Sequence, residues 1–267
     1  MPIMQNPRTY GFPPYTVAVV HGGPGAPGEM APVARELSTS IAVMEPLQTA
    51  SSLEGQVEEL KTIVERHGCL PVTLIGWSWG ALLSYIVAAR YPMQVKKLIL
   101  LASAPFQEKY ARDIMKTRIA RLAEKEREEL QGIMKALSSP ETGARLSCFA
   151  RFGELSSKAD SYDSIALDKE VIEYQPEINE SVWSDANAMR KSGELLEMGR
   201  KISCQVTAIH GDYDPHPWQG VSEPLSTVIR SFHFILLEKC GHTLWAEKHG
   251  RERFYQILHQ EILAAPL

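Results

Sequence analysis

The stretch VTLIGWSWGALLSYIVAARYP, Val72 to Pro92, constrains this chain more than any other. An apolar run stops at Ser78, which has Gly76 two residues before it and Gly80 two after, and an apolar helical stretch begins at once. A strand that turns into a helix this sharply strains its central residue and crowds the neighbours. Glycines at the two flanking positions remove the Cβ atoms that would collide. Ser78 is then left at the C-terminal edge of the sheet with its hydroxyl clear. Five-residue patterns arise by chance, and it is the flanking strand and helix that give this one meaning.

The surrounding rhythm supports such a sheet. Thr16–Val20, Ile41–Met44, Val72–Ile75 and Lys97–Leu101 are short apolar runs rich in β-branched residues. Between them, Leu53–His67 places Val57, Leu60, Ile63 and Val64 at helical spacing, and Leu82–Tyr91 is a mostly apolar helix. Continuous apolar strands separated by helices predict a parallel sheet covered on both faces. The rhythm stops after Ala102–Pro105. Tyr110–Leu137 is charged but keeps Ile114, Ile119, Leu122, Leu130 and Ile133 near helical spacing, which predicts a solvated amphipathic helix. Val182–Gly199 reads as another. Strands return with Cys204–Ile209 and Phe232–Leu237, and Arg251–Leu263 reads as a last helix. The expected organisation is one α/β core, residues 1–105 and 201–267, with residues 106–200 inserted as a helical cap or lid.

A serine hydroxyl needs a base, and the base needs an orienting acid. On a sheet of this kind both should sit in loops beyond other strand ends, in the order serine, acid, histidine. AIHGDYDPHP follows the fifth strand and supplies Asp212 and Asp214; LEKCGHTLWAE follows the sixth and supplies His242. His21 and His210 each close a strand before a glycine, where a buried imidazole more often holds backbone. His67, His249 and His259 lie in or beside helices, and His216 is a weak rival to His242. The alternation His210, Asp212, Asp214, His216 suggests a metal site only superficially, because prolines interrupt it and no further ligand cluster is evident. An oxyanion would need backbone donors. The N–H of Trp79, after the serine, and that of Gly23, in the glycine-rich HGGPG at 21–25, are the candidates.

Composition narrows the setting. The chain has 267 residues, 44% of them hydrophobic and 22% charged, with a formal charge of −4. That balance gives no electrostatic reason to expect nucleic acid or an anionic membrane as partner. The four cysteines, Cys69, Cys148, Cys204 and Cys240, lack CxxC spacing and read as free thiols of a cytoplasmic protein. The segment MPIMQNPRTYGFPPY lacks the pattern of a secretory signal, and no apolar stretch is long enough to span a bilayer.

VAVVHGGPG, LIGWSWGALL, HGDYD and CGHTLWAE together resemble the α/β-hydrolase superfamily, and especially its proline-iminopeptidase-like branch, across nearly the whole core. The resemblance implies Ser78 as nucleophile, His242 as base, and Gly23 and Trp79 as oxyanion donors. It favours Asp214 over Asp212 as the acid, because Gly211 sets the family's G-x-x-D register. It implies hydrolysis of an ester or amide through an acyl-enzyme, with no cofactor or metal and with a small molecule or short peptide as substrate. Two departures stand out. Too few residues precede the first core strand for the family's opening antiparallel pair, so a trimmed, mainly parallel sheet of about six strands is expected. No motif singles out a carboxylate to bind a peptide's ammonium among Glu154, Asp160, Glu173, Glu177 and Asp185. A carboxylesterase, thioesterase, acyltransferase or carbon–carbon bond hydrolase, or a small-molecule receptor without turnover, would use the same fold. The oligomeric state is not legible.

Overall fold

The computed structural model describes residues 5–137, 145–166 and 171–264. Parts of the predicted N-terminal segment and of the 106–200 insertion lie outside that range. Seven strands form one sheet: β1 (Arg8–Tyr10), β2 (Val17–Val20), β3 (Val43–Glu45), β4 (Val72–Trp77), β5 (Val95–Leu101), β6 (Gln205–Gly211) and β7 (Phe232–Leu237). Their spatial order is β1-β3-β2-β4-β5-β6-β7. Every pairing is parallel except that of β1 with β3.

The order explains where a ligand can sit. From β2 the chain steps outward to β3, then returns to place β4 on the other side of β2 and proceeds through β5, β6 and β7. The reversal falls between β2 and β4, where Val20 pairs with Gly76. Loops leaving the carboxyl ends of two such strands diverge and open a crevice. HGGPG and Ser78 leave from those two ends.

Helices cover both faces. One face packs on α2 (Leu53–His67), α3 (Trp79–Arg90) and α10 (Gln219–Val228), through Val57, Leu60, Leu82, Ile86, Val221 and Leu225. The other packs on α1 (Ala31–Leu37) and α11 (Arg251–Leu263), through Val33, Leu37, Phe254 and Leu258. Burial on both sides accounts for the unbroken apolar runs of β2 and β4, in which every residue is buried. Lys97 is an exception within β5. Its ammonium lies 2.7 Å from the Glu261 carboxylate of α11 and donates to the Glu261 carbonyl, so its charge is buried with a partner.

Between β5 and β6 the described chain adds no strand to the sheet and is mainly helical, with α4 (Glu108–Ala111), α5 (Ile114–Arg121), α6 (Glu124–Leu137), α7 (Arg145–Asp160), α8 (Pro176–Ser192), α9 (Glu194–Glu197) and a 3-10 turn at Met198–Lys201, and Ser164 makes a single bridge to Glu247. Leu122, Leu130, Ile133, Leu155 and Ala159 form a small apolar cluster of their own among α5, α6 and α7. The single helix expected over Tyr110–Leu137 is broken. Leu122 takes an extended ψ of 150°, and Arg127 satisfies the freed carbonyls of Ile119 and Leu122. The helix expected from Val182 begins earlier, at Pro176, and stops at Gly193, whose φ of +83° is left-handed. The sheet has one strand more than the six expected. β1 persists as a three-residue antiparallel edge because Arg8 and Tyr10 both bond the buried Glu45 carboxylate of β3, at 2.8 and 2.9 Å. The four cysteines are free thiols, and no described helix is long and apolar enough to cross a membrane.

Two glycines separate steric demand from flexibility. A Cβ on Gly80 would strike the carbonyl oxygens of Val20 and His21, whereas one on Gly132, inside α6, would meet nothing within 4 Å. Gly80→Ala is expected to lower unfolding stability by about 3 kcal/mol or more, or to prevent folding. Gly132→Ala should raise it by about 0.5–1 kcal/mol. Urea unfolding of both variants checks the contrast.

Candidate active site

Ser78 joins β4 to α3 with φ +54° and ψ −113°, a backbone conformation that a residue with a side chain rarely adopts. Packing maintains it. The Ser78 N–H donates to the Leu101 carbonyl at 2.9 Å. A Cβ on Gly76 would meet the Gly80 carbonyl, so the turn closes only with both glycines in place. Trp79 opens α3, whose first N–H groups have no partner within the helix and present a partial positive charge. Gly23, at φ +23°, lies in the loop after β2 and lines the same cavity as Ser78.

The loops after β6 and β7 meet around one carboxylate. Asp214 is buried, with Oδ2 2.7 Å from His242 Nδ1 and Oδ1 2.8 Å from His216 Nδ1. The His216 backbone N–H donates to Oδ1 at 2.9 Å, and His210 Nε2 lies 3.3 Å from Oδ2. Burial alone would push the Asp214 carboxyl upward; His242, His216 and His210 outweigh it and hold the group well below the usual carboxylate range. An ionised carboxylate only accepts, so Nδ1 of His242 and of His216 each carry a proton and their Nε2 atoms are free to act as bases. The two rings stack with centroids 4.5 Å apart. Burial lowers His216 to about 4, which keeps it neutral near neutral pH.

His242 is also anchored by its main chain. Its N–H donates to the Asp160 carbonyl at 3.0 Å, and the Trp77 indole donates to its carbonyl at 3.0 Å. The Trp77 and His242 rings lie 5.2 Å apart. Glu247, fully buried, accepts from the Tyr162 and Asp163 N–H groups and ties the His242 loop to the end of α7. Ser78, Trp77, His216 and His242 open on one cavity of about 1040 Å³, lined also by Phe149, Phe152 and Trp183. Among the described residues no hydrogen bond joins the Ser78 hydroxyl to His242, so the structure places them at one cavity without linking them.

The competing residues fall into place. Asp212 is exposed and accepts from the Cys240 N–H, which makes it a loop brace. His21 is buried, lies 2.7 Å from the Gly22 carbonyl through Nδ1 and accepts from Gln48 N–H through Nε2; burial lowers it to about 4. His216, expected only as a weak rival, shares the carboxylate equally with His242. Trp77 packs in the core as expected, edge-on against Trp245, and also lines the cavity, while the Trp79 ring is fully buried and bonds Gln56. Of the carboxylates considered for an ammonium, Glu154 and Asp160 line the cavity, bonded by Arg151 and by Arg118; Glu173, Glu177 and Asp185 do not line it. Sequence reasoning missed Glu29. It lines the cavity beside Gly22 and Gly23 with Oε2 enclosed and unpartnered, and burial with nearby Glu45 pushes it up to about 8. Its position four residues after the glycine-rich turn HGGPG was the only signal available.

Asp214, His216 and His242 form a set among the described residues whose ligand-type atoms lie within 4.8 Å of one another, as a metal site would require. Both carboxylate oxygens and both Nδ1 atoms are already paired among themselves, which is the arrangement of a proton-handling assembly.

The fold and this site define a sheet-based hydrolase architecture, and comparison with known proteins agrees. A family profile described as the alpha/beta hydrolase fold matches residues 44–242. The chain belongs to the α/β-hydrolase family. No curated protein sequence matches it. Among solved structures it resembles VinJ, with TM-score 0.66 and 16% identity over 98% of this chain and 96% of that one. It also resembles a 2-hydroxy-6-oxo-6-phenylhexa-2,4-dienoate hydrolase from Rhodococcus sp. strain RHA1 (0.61; 18%; 95% and 92%). Proline iminopeptidase of Mycobacterium smegmatis is a comparable neighbour (0.60; 16%; 96% and 95%). At such identities the likeness is one of fold.

The His21 environment predicts a pH dependence. A histidine whose pKa falls from 6.5 unfolded to about 4 folded takes up a proton on unfolding in that window. Its contribution to stability is therefore full above pH 6.5 and declines as pH falls toward 4, by about 3 kcal/mol in all. Denaturant unfolding from pH 7 to 4.5 should show a shallower acid loss in His21→Gln than in wild type; equal slopes would contradict the assignment.

Proposed function

We propose that this protein is a serine hydrolase that cleaves an ester through an acyl-enzyme. The observation that carries the reading is the 2.7 Å contact of His242 Nδ1 with the buried Asp214 carboxylate, at the cavity that Ser78 opens on. In this reading Ser78 attacks the substrate carbonyl while His242 Nε2 takes the hydroxyl proton. Asp214 fixes the imidazole tautomer and stabilises the imidazolium. The N–H groups of Gly23 and Trp79 hold the developing oxyanion. His242 returns its proton to the leaving group, then activates water, which releases the acyl group. Residues 106–200 serve as the cap that roofs the pocket and excludes solvent. The steps need no metal or organic cofactor.

Within the wider family resemblance, an ester suits this pocket better than the amino-terminal residue of a peptide. An ammonium needs an ionised, available carboxylate. Of the carboxylates on the cavity wall, Asp160 is held by the Arg118 guanidinium through bonds of 2.7 and 2.6 Å, Glu154 is bonded by Arg151, Glu29 is protonated near neutral pH, and the field of Glu108 falls on the buried Arg190 cation. Incubation with a fluorophosphonate followed by intact-mass analysis should give one adduct on wild type and none on Ser78→Ala. An equal adduct on both would remove Ser78 as nucleophile. Short p-nitrophenyl esters should turn over while proline anilide does not; the reverse would restore the peptidase reading.

His242 and His216 are distinguished by kinetics. His242→Gln and Asp214→Asn are each expected to lower kcat by about 10³-fold or more. His216→Gln, which leaves the second carboxylate oxygen without that ring, should lower kcat by about tenfold or less with KM unchanged. A larger loss in His216→Gln than in His242→Gln would exchange their roles.

A further inference from the structure

One stripe of α8 turns toward the cavity. Asn179, Trp183 and Asn187 recur every four residues, Arg190 follows three later, and all four line the pocket, while Val182 and Ala186 are buried in the core. The stripe is rich in donors. Asn179 Nδ2 donates to the Pro24 carbonyl at 3.0 Å and so braces α8 against the HGGPG loop. Arg190 Nε donates to the Pro105 carbonyl at 2.8 Å, and its Nη1 donates to Asn187 Oδ1 at 2.7 Å. With Oδ1 so engaged, the amide Asn187 turns elsewhere is its NH₂.

Arg190 is only 7% exposed, yet its two partners are neutral oxygens. Among the described residues no carboxylate lies within ion-pairing distance; Glu108, at the start of α4, acts on it only from farther away. The cavity's partly buried Arg118 is different: it is matched to Asp160 by two parallel bonds. Enclosing a cation without a counter-charge is unfavourable, and a fold that does so on a cavity wall gains when a ligand supplies the missing charge. A guanidinium is the side chain best suited to do this, since its planar fork matches the oxygens of a carboxylate or phosphate. That of Arg190 opens on the same cavity as Ser78. Arg190 lies 5.9 Å from the Trp183 ring, and Trp183 packs edge-on at 5.4 Å against Trp79, the residue after Ser78.

We propose that Arg190, with the Asn187 amide, is an anion-reading subsite, and that the substrate of the Ser78 site carries a carboxylate or phosphate on the portion held under α8. For the reaction this rests on the hydrolase reading; for binding it stands alone. The experiment has a binding arm and a kinetic arm. In the first, glutarate, phenyl phosphate and neutral glutaramide are titrated into the Ser78→Ala protein, with and without Arg190→Gln or Arg190→Lys, and read by tryptophan fluorescence. One of the two anions should bind saturably and glutaramide should not; which anion binds separates a carboxylate from a phosphate. Arg190→Gln should weaken that anion by about tenfold or more, and Arg190→Lys by clearly less. In the second arm, p-nitrophenyl hydrogen glutarate and p-nitrophenyl valerate are compared on proteins with an intact Ser78. If the anion is a carboxylate, wild type should prefer the charged ester in kcat/KM by about tenfold, and Arg190→Gln should lose that preference mainly through KM.

Saturable binding of neither anion overturns the proposal, as does equal anion affinity in wild-type and Gln forms. Should Arg190→Gln fail to fold because the Pro105 bond is lost, Arg190→Lys and the discrimination of the Ser78→Ala protein between glutarate and glutaramide still decide. Anion binding without any ester turnover would count against the hydrolase reading and leave the subsite standing.

Discussion

One buried carboxylate organises the chemical end of this molecule. Asp214 takes hydrogen bonds from imidazoles belonging to two loops and from a backbone N–H, and His242, His216 and His210 together outweigh the penalty of burial and hold it well below the usual carboxylate range. The loops after β6 and β7 have no secondary structure to fix them at this point. The carboxylate supplies the fixed point instead, and in accepting two Nδ1 protons it sets the tautomer of both rings. Everything proposed for His242 follows from that constraint, since an imidazole protonated on Nδ1 has its basic nitrogen at Nε2.

The second constraint is steric and lies across the sheet. The loops leaving the carboxyl ends of β2 and β4 diverge, and the turn at Ser78 is pressed so tightly against the end of β2 that no Cβ fits at Gly80. Close packing stores the strain at Ser78 and keeps it from relaxing. It also puts the HGGPG loop, the start of α3 and the serine at one edge. Trp77 then joins the two constraints, since it directly precedes Ser78 in the chain and its indole holds the His242 carbonyl.

Much of this was legible in the sequence because it depends on local patterns. The glycine spacing around Ser78 is a steric signature, and the strand ends that precede Asp214 and His242 are visible as apolar runs. Asp212 and Asp214 follow the same strand, and only the family's G-x-x-D register favoured Asp214; in the structure Asp214 is buried against His242 while Asp212 is exposed. The equal share of His216, the cavity position of Trp77 and the donor stripe of α8 were not legible. The last two are defined by contacts between segments far apart in the chain, such as Trp77 with His242 or Asn179 with Pro24, whereas the share of His216, two residues from Asp214, depends on how the loop after β6 turns its ring. β1 was missed for another reason: three residues held by the side chains of Arg8 and Tyr10 leave almost no periodic signal.

The most direct test of the account is a crystal structure of the protein after reaction with a diethyl phosphate ester. It should show phosphorus bonded to Ser78 Oγ, the phosphoryl oxygen within hydrogen-bond reach of the Gly23 and Trp79 N–H groups, and His242 Nε2 facing the adduct with Nδ1 still on Asp214. Phosphorus on another residue, or an oxygen pointing away from both N–H groups, would contradict it.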